Sequence, residues 1–125
     1  MKKEKILIVD DEEAILKMYK TKLDQEGFET ITASGAESGL ELAKNEKPSL
    51  IFLDILMQNY NGLDALKKLK SDPATKNIPV CILTNIQKDG LVDEALKIGA
   101  LDYFVKAEYE PEKLAQTVKE LLKTK

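Results

Sequence analysis

Residues 5–13 read KILIVDDEE: a lysine, an unbroken apolar run from Ile6 to Val9, then four acids, Asp10, Asp11, Glu12 and Glu13. A run with no polar alternation has no side to turn to water, so it suits a strand covered on both faces, the environment of a central strand in a parallel sheet. Residues 50–53 (LIFL) and 80–83 (VCIL) repeat the pattern. Residues 28–33 (FETITA) interleave Glu29, Thr30 and Thr32 with apolar side chains, and residues 102–105 (DYFV) open on an acid. These two segments fit the less buried edges of the same sheet.

Between the strands the apolar period lengthens. Ile15, Tyr19 and Leu23; Ala36, Gly39, Leu40 and Ala43; Leu63 and Leu66; Val92, Ala95 and Gly99; and Leu114, Val118 and Leu121 each fall on one helical stripe. Gly27 is placed to close the first helix, Ser34 to cap the second, Asn61 to cap the third, and Pro111 to open the last. Five strands alternating with five helices predict an α/β, flavodoxin-like, doubly wound parallel sheet of strand order 2-1-3-4-5. At 125 residues the chain is expected to form a single domain over 1–125, with no output domain following the last helix.

Composition removes several function classes. A formal net charge of −3 with lysines and acids interspersed offers no basic stripe, which argues against direct nucleic acid binding or an anionic membrane surface as partner. No apolar segment is long enough to span a bilayer and no signal-peptide pattern precedes the first strand, so a cytoplasmic location is expected. The lone Cys81, inside an apolar strand, reads as a buried, inert thiol. With no histidine in the chain, chemistry falls to carboxylates, hydroxyls and lysines.

In a parallel α/β sheet the functional crevice lies beyond the carboxyl ends of the strands. Asp10 and Asp11 follow the first strand, Asp54 the third, Thr84 ends the fourth and Lys106 the fifth. Singly, each has an ordinary structural explanation: Asp10 and Asp11, like Glu12 and Glu13, can start a helix, Asp54 can sit in a turn, Thr84 can end a strand, and Lys106 can snorkel from an edge. Together they are harder to dismiss. Close carboxylates repel by about 4 kcal/mol per pair at an effective dielectric of 20, so a proton or a cation must join them. Hard oxygen donors suit Mg²⁺, with Mn²⁺ as a substitute.

These segments, ILIVDDEE (6–13), LIFLDILMQNYNGLDAL (50–66), ILTN (82–85) and GALDYFVKA (99–107), resemble in order the signature regions of the response-regulator receiver domain, the CheY-like module of two-component signalling. The resemblance covers essentially the whole chain. It implies that Asp54 is the phosphoacceptor, that Asp11 and Asp54 bind Mg²⁺ through their side chains and Leu56 through its carbonyl, and that Asp10 acts through a bound water. It further implies that Lys106 and Thr84 meet the phosphoryl oxygens and that Tyr103 is an aromatic switch. The implied partners are a sensor histidine kinase or phosphotransfer protein and a downstream protein that reads the fourth helix, fifth strand and fifth helix. Three positions depart from the family pattern: Gln58 and Ala107 stand where proline is usual, and Asn85 where a small residue usually follows the threonine. In the family the bond after the lysine is commonly cis, but before alanine a cis bond costs about 2.5–4 kcal/mol, so Lys106–Ala107 is expected to be trans.

Two other classes fit less well. An Mg²⁺-dependent phosphohydrolase using Asp54 as nucleophile would want a general acid two residues later, where Leu56 stands. A flavin or nucleotide module would want a glycine- or hydroxyl-rich loop after the first strand, where the acids stand.

Overall fold

The computed structural model describes residues 3–57, 60–86 and 88–123; Gln58 lies outside them. The apolar runs form β1 (Lys5–Val9), β2 (Glu29–Ala33), β3 (Leu50–Leu53), β6 (Val80–Thr84) and β7 (Asp102–Val105), while β4 (Leu56–Met57) and β5 (Tyr60–Asn61) make a short separate hairpin. All ladders of the main sheet are parallel, in the order β2-β1-β3-β6-β7. Leaving out the hairpin, that is the predicted 2-1-3-4-5 arrangement, with β2 and β7 at the edges.

The sheet separates two cores by the strand's alternation. Ile6, Ile8, Phe52, Cys81 and Leu83 face α1 (Glu13–Gln25) and α5 (Pro111–Lys123), meeting Leu16, Tyr19, Leu23, Leu114 and Val118. Leu7, Val9, Ile51, Leu53 and Ile82 face the other way, toward α2 (Ala36–Glu46), α3 (Gly62–Ser71) and α4 (Asp89–Ile98). Both faces of β1 and β3 are therefore covered, which is why their sequences carry no polar alternation. Among the described residues no helix is long and apolar enough to cross a membrane.

Most helix ends follow the expected signals. Gly27, at φ +96°, closes α1, a conformation that glycine adopts without strain. The Asn61 side chain accepts the Leu63 N–H at 2.8 Å to cap α3, and Pro111 is the first residue of α5. Ser34 does not cap α2 as expected. The N-cap is Gly35 in an extended conformation with no side-chain cap bond. The β1–β2 ladder runs through Ala33, leaving Ser34 in the bend, and α2 starts where buried Ala36 reaches the core.

Candidate functional site

The ends of β1 and β3 fix two carboxylates through the backbone. The Asp10 N–H donates to the Ala33 carbonyl and the Asp54 N–H to the Val9 carbonyl, both at 3.0 Å, so each acid leaves the ladder at a set height. Each side chain is then held by its own following turn: Asp10 Oδ1 accepts the Glu12 N–H at 2.9 Å, and Asp54 Oδ1 accepts the Leu56 N–H at 3.0 Å. This is the local bond that Asp favours at turns. Both carboxylates are buried, at 1% and 4% exposure, with Asp11 more open to solvent beside them.

Lys106, itself buried, brings its Nζ to 2.8 Å from Asp54 Oδ2 and 2.5 Å from Asp10 Oδ2, with Glu12 Oε1 at 3.6 Å. The contacts to Asp10 and Glu12 were not legible in the sequence, where Glu12 read only as a helix-start acid. Burial opposes the charge on Lys106, yet the gripping carboxylates of Asp10 and Asp54 hold its pKa above the ordinary lysine value. The Asp10 pKa is raised as well: burial pushes its carboxyl up, against the pull of Lys106 and the Glu12 N–H, and the neighbouring Asp54 charge adds to the rise.

One oxygen from each of Asp10, Asp11 and Asp54 lies within 4.8 Å of the others. Three carboxylates against one ammonium leave a local charge of −2 when all are ionised, and the donors are all hard oxygens. The residues present fit a small divalent cation such as Mg²⁺ or Mn²⁺.

The other predicted residues occupy the same edge. Thr84, buried, ends β6 opposite Val105, one residue before Lys106. Leu56 turns its side chain outward at 64% exposure, leaving its backbone beside Asp54. Half-buried Tyr103 donates its hydroxyl to the Ile86 carbonyl at 2.6 Å, so it touches the loop that follows Thr84. The Lys106–Ala107 bond is trans, as expected.

The contacts of three residues escaped the sequence reading. Gly62 packs so closely on the Asp54–Ile55 segment that a Cβ there would lie 2.2 Å from Ile55 Cα and 2.6 Å from the Asp54 carbonyl oxygen. The signal available was a glycine directly after a cap residue, a position where helix propensity gives no reason for it. Tyr19, fully buried, donates to the Tyr109 carbonyl at 2.8 Å and anchors the turn after Lys106; its sequence position marks only a core stripe. Asn85 accepts the Ala107 N–H at 2.9 Å.

Comparison with known proteins agrees with this fold. Residues 6–119 match the family model of the response regulator receiver domain. The chain is 36% identical over 121 residues to the alkaline phosphatase synthesis transcriptional regulatory protein PhoP of Bacillus subtilis, covering 95% of this chain and 48% of that protein. It is 36% identical over 102 residues to the response regulator PleD of Caulobacter vibrioides, covering 82% of this chain and 22% of that protein. The chain thus spans less than half the length of either relative. Among solved structures, a CheY-like response regulator receiver domain protein from Methanospirillum hungatei superposes with a TM-score of 0.90 at 30% identity, covering 98% of this chain and 96% of that one. The chemotaxis protein CheY4 of Vibrio cholerae gives a TM-score of 0.87 at 27% identity, covering 95% and 98%. A match of this extent, joined to the sheet order and to the acids and lysine gathered at the strand ends, places the chain in the response regulator receiver domain family of two-component systems.

Proposed function

We propose that the chain is a phosphorylation-dependent switch in which Asp54 accepts a phosphoryl group from a sensor histidine kinase or a phosphotransfer protein. The observation that carries this reading is the Lys106 ammonium on Asp54 Oδ2 at 2.8 Å, with carboxylate oxygens of Asp10 and Asp11 gathered beside it. In the reaction an Asp54 oxygen attacks phosphorus, the donor's P–N bond breaks, and the leaving imidazole takes up a proton. The Asp11 and Asp54 carboxylates and the Leu56 carbonyl would hold Mg²⁺, with Asp10 acting through a water, and the ion when bound would neutralise phosphoryl oxygens that the acids otherwise repel. Lys106 exchanges its bond to Asp54 for one to a phosphoryl oxygen, and Thr84 donates its hydroxyl to another. Because the Tyr103 hydroxyl is bonded to the loop after Thr84, a shift of that loop reaches the surface of α4, β7 and α5, where a downstream protein would read it.

The phosphohydrolase alternative gains no support, since the side chain two residues after Asp54 is the outward, apolar Leu56. In this reading residues 1–125 act as one receiver unit in the cytoplasm, on protein partners and not directly on nucleic acid. Incubation with phosphoramidate or acetyl phosphate and Mg²⁺ should add one phosphoryl group by intact mass, located on Asp54. Asp54→Asn should abolish the addition. Undiminished labelling of that variant would refute the assignment.

A further inference from the structure

The two described positions at which the chain departs from the family pattern, Asn85 and Ala107, are hydrogen-bonded to each other: Asn85 Oδ1 accepts the Ala107 N–H at 2.9 Å. A proline at 107 has no N–H to donate, so this bond exists only because the position is not proline. Asn85 directly follows Thr84, and Ala107 directly follows Lys106. The β6–β7 ladder ends at the Thr84–Val105 pair, after which the β6 chain bends away and the β7 chain enters the short 3₁₀ turn Lys106–Glu108. Beyond the ladder's end, a side chain carries the cross-link that the two backbones no longer make.

The two sides of this cross-link are anchored differently. The Lys106 turn is tied independently, by the Tyr109 N–H on the Lys106 carbonyl at 2.9 Å and by the buried Tyr19 hydroxyl on the Tyr109 carbonyl at 2.8 Å. The loop after Thr84 has no such buried anchor in the described bonds: Tyr103, half-buried, reaches Ile86, and Asn85 reaches Ala107. From this geometry we propose that Asn85 is a positioning residue for phosphoryl transfer: it clasps the Thr84 loop to the fixed Lys106 turn, setting the hydroxyl and ammonium donors in register before a phosphoryl group arrives. The proposal rests on Asp54 being the phosphoacceptor. The clasp sits on an exposed edge, so it can open and close within the switch cycle, as an exposed neutral bond worth a modest net energy allows.

The test separates the bond from the bulk of the side chain. Asn85→Leu keeps the branched shape and removes the acceptor; Ala107→Pro removes the donor. Two readouts are followed: hydrogen exchange of the Ala107 amide in the unphosphorylated protein, and the rate at which phosphoramidate with Mg²⁺ labels Asp54. Asn85→Leu should deprotect the Ala107 amide and slow labelling by about three- to tenfold. Ala107→Pro should slow it similarly, and adding Asn85→Leu to Ala107→Pro should change the rate by less than about twofold, because the bond is already gone. If Ala107→Pro does not fold, the Leu variant and the amide exchange decide alone. A labelled wild type with Asn85→Leu at an unchanged rate, or a fully additive double variant, overturns the clasp and leaves the phosphoacceptor reading standing. A wild type that takes no label overturns both.

Discussion

The two halves of the site are built in different ways. On the carboxylate side, Asp10 and Asp54 follow buried strands, each side chain held by the backbone N–H two residues on and each backbone N–H bonded to the last carbonyl of a neighbouring strand. On the donor side, Thr84, Tyr103 and Lys106 belong to β6, the edge strand β7 and their loops, and the loop after Thr84 is tied by single side-chain bonds from Asn85 and Tyr103. The carboxylate half is thus rigid and charged, and on the donor side the loop after Thr84 is held by bonds weak enough to exchange. A switch needs both: a fixed place for the chemistry and a neighbouring element with two accessible arrangements. Lys106 joins the halves, since its charge compensates the carboxylates while its backbone turn, tied through Tyr109 to the buried Tyr19 hydroxyl, is the fixed post beside the Thr84 loop.

Removing that link should produce the largest effect. Lys106→Met leaves buried Asp10 and Asp54 facing each other without a cation, and the fold should lose about 3 kcal/mol in metal-free buffer at pH 7. Without the ammonium, the folded pKa of buried Asp10 rises further above its unfolded value, so the deficit should deepen as pH rises through the carboxylate range and shrink in acid. Urea denaturation with and without Mg²⁺ measures it; the ion should restore more stability to the variant than to the wild type.

Gly62→Ala attacks the rigid half sterically. Its Cβ would meet backbone atoms of Ile55 and Asp54, which cannot rotate aside, and a loss of about 2–3 kcal/mol in chemical denaturation is expected. Gly39 provides the contrast: a Cβ there meets Val9 side-chain atoms at 2.8 Å and 3.0 Å, a clash with a rotatable group that should cost less.

Asp10→Asn should be stabilising. Burial raises the Asp10 pKa above its unfolded value, so its ionisation costs the fold at neutral pH and costs nothing once the pH falls below the unfolded value. A gain of about 1 kcal/mol at pH 7 that vanishes toward about pH 3 is expected, measured by denaturation across pH in metal-free buffer. Lys106 does not confuse this window, because its pKa is raised and its contribution is lost only on the alkaline side. The smallest effect belongs to the movable half. Tyr103→Phe deletes one half-exposed bond to the Ile86 carbonyl and should lower stability by about 1 kcal/mol or less. A loss as large as that of Gly62→Ala would show that the two halves are not distinct in stiffness.

Much of this was readable from residue order. Unbroken apolar runs announced central strands, the polar edges β2 and β7 were recognisable by composition, and the rule that strand ends converge brought Asp10, Asp11, Asp54, Thr84 and Lys106 to one edge. Those properties are local: a residue's burial on both faces, or its place after a strand, is written in its immediate neighbours. Cys81 belongs with them, since its apolar run implied burial and burial pushes its thiol up to about 12.

What only the folded chain decided were distances between loops. That one ammonium reaches both Asp10 and Asp54, that the N-cap of α2 is Gly35 instead of Ser34, that Gly62 must lack a side chain, and that Asn85 meets Ala107 all depend on how far each strand runs before its chain bends. No propensity or period carries that information, because such contacts join segments whose only common reference is the sheet, and a shift of one residue in any ladder would move them apart.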